Sequence, residues 1–129
     1  GRQHLFEINK GLTARLRKLS QQIGVTPFAL LMTAVQVFLY KISDQEDFGI
    51  GAPIANRNRR EVEDIIGFFV NTIVLRANPE ANASFEMLAK KVQNDIIAAS
   101  DNQDVPFDRI VDELVSKPDL SRSPLFQVM

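Results

Sequence analysis

Leu12, Leu16, Leu19 and Ile23 recur at steps of four, three and four, with Arg15, Arg17, Lys18 and Gln21 between them. That pattern predicts an amphipathic helix. Gly24 ends it as a left-handed cap residue would. Thr26-Pro27 then opens a second helix, with Thr as cap and Pro at the first helical position. Over 28–42 that helix is apolar on nearly every side, and only Thr33, Gln36 and Lys41 break the run. It is shorter than the ~20 residues a bilayer requires, so central burial in a larger core is expected. Ser43-Asp44-Gln45 ends it.

Residues 47–54 predict a strand with glycines and a proline near its end, followed by a polar loop over 56–60 and one or two helical turns over 61–66. Residues 67–76 are rich in β-formers and predict a central strand buried on both faces. After a turn at Asn78-Pro79, Ser84 caps a third helix with the stripe Phe85, Leu88, Ala89, Val92, Ile96 and Ala99. A fourth helix opens at Pro106 and buries Phe107, Ile110, Val111 and Leu114. A loop over 117–124 leads to a last strand. The order predicts an α/β layered sandwich: a mixed β-sheet of at least three strands with helices packed on it.

The 129 residues suffice for one domain, taken as 1–129. Apolar residues are 45% and charged residues 24% of the chain, an ordinary globular balance. A net charge of −1 gives no pull toward nucleic acid or anionic membrane, so neither is expected as a partner. The absence of Cys excludes disulfides, thiolate metal sites and thiol catalysis, and fits a cytoplasmic location. The apolar run Leu125-Phe126-Gln127-Val128-Met129 has no turn or polar tail after it. The chain therefore reads as a piece truncated at both ends, with exposed edges that favour self-association.

Candidate chemistry is sparse. His4, the only histidine, lacks a neighbouring carboxylate or serine in sequence and reads as a bystander. Arg57, Arg59 and Arg60 resemble a phosphate grip, but Glu61, Glu63 and Asp64 follow at once, which makes a self-neutralising loop. Asp108 and Asp112 share a helix face; with Asp101, Asp104 and Glu113 they form a polar outer face whose acids suit a helix N-terminus. No metal site is expected, because these carboxylates lack the glycine turn of a calcium loop. Gly49-Ile50-Gly51 lacks the third glycine of a dinucleotide fingerprint and reads as close packing. Asn71-Thr72, polar within an apolar strand, must find partners or cost about 1–3 kcal/mol each. Either Asn71 bonds a neighbouring loop or it points into a cavity.

Three stretches resemble the later core motifs of nonribosomal peptide synthetase condensation domains. Ile66-Gly67-Phe68-Phe69-Val70-Asn71-Thr72-Ile73-Val74-Leu75-Arg76 resembles I/V-G-x-F-V-N-T-x-x-x-R. Asn102-Gln103-Asp104-Val105-Pro106-Phe107-Asp108 resembles H/N-Q-D-x-P-F-E, with Asp at its last position. Asp119-Leu120-Ser121-Arg122-Ser123-Pro124-Leu125-Phe126-Gln127-Val128 resembles D-x-S-R-x-P-L-F-Q-V. The stretch from Gln45-Glu46-Asp47 to Arg57 is similar to Q-E-D…G-x-P-x-x-x-R, and the motif order agrees.

The resemblance implies one partial lobe, the C-terminal one, of a CoA-dependent acyltransferase-like fold. Such domains join a carrier-held aminoacyl or peptidyl thioester to a carrier-held aminoacyl amine. It also implies substrates on 4'-phosphopantetheine, with no cofactor bound directly. Implied partners are peptidyl carrier proteins, an adenylation domain and the N-terminal lobe of the same domain. The family's H-H-x-x-x-D-G motif is absent, so no catalytic residue maps here and the chain alone is expected to be inactive. A non-catalytic scaffold and carrier-docking lobe, or an acyltransferase using free CoA thioesters, are the alternatives. By the same resemblance Asn71 and Thr72 are candidates for the substrate tunnel. Gly67, Phe69, Arg76, Gln103, Asp104, Pro106, Phe107, Ser121, Arg122 and Pro124 are motif residues with an expected structural role.

Overall fold

The computed structural model describes residues 2–56, 61, 65–67, 69–117 and 121–129. Helix α1 (Lys10–Ile23) begins where Asn9 accepts a hydrogen bond from the Leu12 N–H, and ends at Gly24 with φ 75°. That positive φ suits glycine. Helix α2 (Pro27–Ser43) is capped by Thr26, whose hydroxyl oxygen accepts from the Ala29 N–H at 3.2 Å. Strands β1 (Phe48–Ile54) and β2 (Asn71–Ala77) pair antiparallel, from Phe48 opposite Ala77 to Ile54 opposite Asn71. Helix α3 (Phe85–Asp101) is capped by Ser84, and α4 (Phe107–Leu114) follows a short loop.

The core has two connected parts. Val25, Ala29, Leu30, Ala89 and Val92 pack α2 against α3 and the α1–α2 turn. Ala52, Ile73 and Leu75 form the sheet side, and Met32 and Ile96 touch both parts. Ala29 and Ala89 have no exposed surface, so the smallest side chains stand where the two helices meet. The Thr26 N–H donates to Gln93 Oε1 at 2.8 Å, which ties the α1–α2 turn to α3.

Several expectations change. The second strand spans Asn71–Ala77 rather than 67–76, while Gly67 lies in a bend and Ile66 is fully exposed. β-propensity alone does not make a strand. β1 ends at Ile54, so the ladder has no partner for residues before Asn71. Within β2, Ile73, Leu75 and Ala77 are buried and Arg76 is exposed, so one face is covered rather than two. Among the described residues β1, not β2, takes the middle. Its other neighbour is Val128, through a single parallel bridge from Ile50 and a Gly51 N–H to Val128 C=O bond of 2.8 Å. The expected third strand is that bridge alone. Among the described residues the sheet is therefore the antiparallel β1–β2 pair, and the mixed sheet of three strands expected from the sequence is reduced to that pair with one parallel bridge at its edge.

Helix α2 is not buried all round. Its inward face carries Ala29, Leu30, Thr33 and Gln36, whereas Phe28, Leu31, Val35, Phe38 and Ile42 form an exposed apolar row. The contacts of Ala29 and Leu30 set the helical phase, and Thr33 and Gln36 follow inward at that phase. Thr33 meets the cost of burial by donating to the Ala29 carbonyl at 2.7 Å. The fourth helix begins one residue later than expected: Pro106 is its cap residue, with extended backbone, and Phe107 is the first helical residue. Among the described residues no single helix is long and apolar enough to cross a membrane. The expected turns over 61–66 and the basic run Arg57, Arg59 and Arg60, with Glu63 and Asp64, fall largely or wholly outside the described residues.

Candidate functional site

Asn71 stands at the start of β2, and its side chain leaves the strand for the α3–α4 loop. Its Nδ2 donates to the carbonyls of Gln103 and Val105, each at 2.9 Å, and its Oδ1 accepts from the Phe107 N–H at 3.1 Å. Of the two sequence readings, a bond to a neighbouring loop describes these three contacts. They join the F-V-N-T and N-Q-D-x-P-F stretches into one unit. Asn71, Phe69, Asp104 and Pro106 meet around a recess of about 240 Å³ that Asn56 and Val70 complete.

The third motif joins through aromatic packing. The Phe126 ring lies 5.6 Å from that of Phe107, tilted by 52°. It covers β1 at Gly51, where a Cβ would fall 2.6 Å from the ring. At Gly49 a Cβ would fall 2.3 Å from the Leu125 carbonyl oxygen. Both glycines are therefore places where the C-terminal segment lies directly on the strand.

Beside this unit lies a cavity of about 480 Å³, within the size range of small-molecule sites. Thr72, Ile73 and Val74 of β2, Ile110 and Leu114 of α4, and Leu125 contribute to its lining, with Asp47 and Arg76 among the remaining residues. Arg76 donates through Nε to Asp47 Oδ1 at 2.8 Å and through Nη2 to Oδ2 at 2.6 Å, a two-pronged pair across the start of β1 and the end of β2. Those hydrogen bonds, and then the guanidinium charge, hold the Asp47 carboxyl below its ordinary value, and Arg76 is raised in return. A depressed carboxyl contributes stability above its unfolded-state value and loses it as pH falls through the folded-state value. Both groups face solvent, so the contribution is small. In an NMR titration, the Asp47 midpoint should move up toward the ordinary carboxylate value in Arg76→Gln, with little change in melting temperature. An unmoved midpoint would mean the pair does not persist in solution.

The structure does not bring every candidate together. Arg76 lies at the far end of β2 from Asn71, and Ser121 and Arg122 are exposed in the segment before Pro124. Asp119, Leu120 and Phe68 lie outside the described residues. His4 is exposed and stacks loosely on Phe6, with ring centres 6.1 Å apart. Asp101, Asp104, Asp108, Asp112 and Glu113 are exposed, as a polar outer face requires. Sequence reasoning did not single out Asp47 as the partner of Arg76. Its place in the Q-E-D stretch was a signal, but the pairing depends on strand register.

The family model described as "Condensation domain" matches residues 1–129. This chain belongs to the condensation-domain family. A linear gramicidin synthase chain of Brevibacillus parabrevis is 46% identical over 129 residues, all of this chain and 2% of that protein. A holo four-domain nonribosomal peptide synthetase bound to AMP and glycine superposes with a TM-score of 0.91 and 28% identity, over 95% of this chain and 9% of that one. The X-domain in complex with OxyB, from teicoplanin biosynthesis, superposes with a TM-score of 0.85 and 26% identity, over 93% of this chain and 26% of that one. The condensation-domain chain thus spans a small part of the length of the relatives it matches. Its fold is that of one part of the CoA-acyltransferase-like architecture.

Proposed function

We propose that this chain is the C-terminal-lobe part of a condensation domain that forms amide bonds in nonribosomal peptide synthesis. The amine nitrogen of one carrier-held aminoacyl group attacks the thioester carbonyl of the other. The C–N bond forms, the C–S bond breaks, and the thiol of the donor phosphopantetheine leaves with a proton. The observation that carries this reading is the family match over the whole chain.

No H-H-x-x-x-D-G occurs in these residues. The catalytic histidine of the family pattern, whether it acts as base or positions the amine, is therefore assigned to the other lobe, and this chain by itself is expected to be inactive. Contact with that lobe is supported by the exposed row Phe28, Leu31, Val35, Phe38 and Ile42, which is larger than scattered surface apolar residues require. Carrier proteins and an adenylation domain are the further partners, and a cytoplasmic location follows from such an assembly. Asn71 and Thr72 serve the substrate tunnel, Asn71 by holding the loop beside it.

Reconstitution tests the proposal. The complete domain containing this chain, supplied with loaded donor and acceptor carrier proteins, should form a dipeptidyl thioester detectable by mass spectrometry. The 129-residue chain should form none. Absence of amide from every loaded pair with the complete domain would overturn the reading. The fold is also found in the X-domain seen in complex with OxyB. A non-catalytic docking role is therefore the second reading, and carrier-protein binding without amide formation would favour it.

A further inference from the structure

The first N–H groups of a helix have no partner within it. A cap side chain ordinarily supplies the oxygen. Helix α4 has Pro106 at its cap, with no side-chain cap bond. The oxygen that its first residue receives comes instead from Asn71, 36 residues earlier, through the 3.1 Å bond to the Phe107 N–H. The same amide anchors the approach to the helix at the Gln103 and Val105 carbonyls. An amide side chain has two N–H donors. Both are engaged with backbone, so neither is available to a thioester or an incoming amine. Helix α4, positioned in this way, carries Ile110 and Leu114 into the lining of the 480 Å³ cavity.

We propose that Asn71 is a positioning residue: as the remote cap of α4 it sets the cavity wall at Ile110 and Leu114, and that cavity receives an apolar side chain of one aminoacyl group. The inference rests on the condensation reading above. The occupant follows from the lining. Ile73, Val74, Ile110, Leu114 and Leu125 offer apolar surface, while the charges of Asp47 and Arg76 already neutralise one another. A neutral apolar group fits such a site better than a charged one. Substituting Asn71 therefore changes which side chains are accepted, more than the chemistry at the thioester.

The test uses the complete domain with donor carriers and then acceptor carriers loaded in turn with alanine, leucine or phenylalanine, in parallel with amide hydrogen exchange, and a shift on either side counts. In Asn71→Ala the Phe107 amide should exchange faster by about tenfold or more. The ratio of kcat/KM for phenylalanine over alanine should shift by roughly tenfold, the scale at which apolar pockets discriminate. Asn71→Asp keeps an acceptor oxygen but sets a carboxylate against two carbonyls, so its shift should be larger than that of Asn71→Ala. Ile110→Ala should raise the phenylalanine preference while leaving the Phe107 amide protected, and it keeps the cavity assignment testable if the Asn71 variants fail to fold. Unchanged Phe107 exchange in Asn71→Ala overturns the capping role. A uniform loss of rate with unchanged ratios in both Asn71→Ala and Ile110→Ala overturns the cavity assignment. If the unmutated domain forms no amide, the condensation reading fails instead, and the exchange result still decides the capping role.

Discussion

Gly49→Ala is expected to destabilise the protein by about 3 kcal/mol or more and to detach its C-terminal segment from the sheet. The added methyl would lie 2.3 Å from the Leu125 carbonyl oxygen and 3.1 Å from Val74 Cγ1. The first of these is backbone and cannot rotate away. The segment must lift, which breaks the bond from the Gly51 N–H to Val128 and uncovers Phe126, a residue only 9% exposed. Loss of Phe126 burial alone accounts for about 1.5–3 kcal/mol. Chemical denaturation measures the total, and exchange of the Gly51 amide reports the detachment. A variant with ordinary stability and a protected Gly51 amide would show that residues 125–128 do not pack on β1. Gly51→Ala should have the milder effect, because there the obstacle is the Phe126 ring, a side chain that can turn.

Two adjacent leucines should behave very differently. Leu30 is 1% exposed between α3 and the α1–α2 turn, and Leu31 is 41% exposed on the apolar row of α2. Leu30→Ala should cost about 2–5 kcal/mol in denaturation of this chain, the range for a buried leucine that leaves a cavity. Leu31→Ala should cost about 1 kcal/mol or less. In the complete domain the gap should narrow if the other lobe covers the row, since Leu31 would then be buried too. Equal costs in this chain alone would mean that α2 is turned about its axis so that Leu31 also faces the core.

The helix ends were legible in the sequence. Thr26 and Ser84 cap their helices through the hydroxyl oxygens, and Gly24 takes the left-handed conformation, because these are local effects of neighbouring atoms. The family was legible for a related reason: its motifs are residue types at fixed spacing, and the chain carries them in order. The fourth helix is expected from Pro106 and begins at Phe107, one residue later.

Strand 67–76 was read too long and too central because propensity belongs to a residue, whereas a strand exists only where another strand lies beside it. The facing of α2 was hidden for a similar reason. With apolar residues on nearly every side its sequence has no phase, and the contacts with Ala89 and Val92 supply one. Asn71 was recognisable as a polar residue that needed partners, but which partners was open. Gln103, Val105 and Phe107 are more than thirty positions away, and only the packing of α3 against the sheet brings them within hydrogen-bond reach. The sequence by itself therefore determined the family, the helices and the caps at Gly24, Thr26 and Ser84, since these depend on residue type and short spacing. Tertiary structure alone decided register, helix facing and the cap that Asn71 gives to α4, because each is a contact between segments whose separation in sequence says nothing about their distance in space.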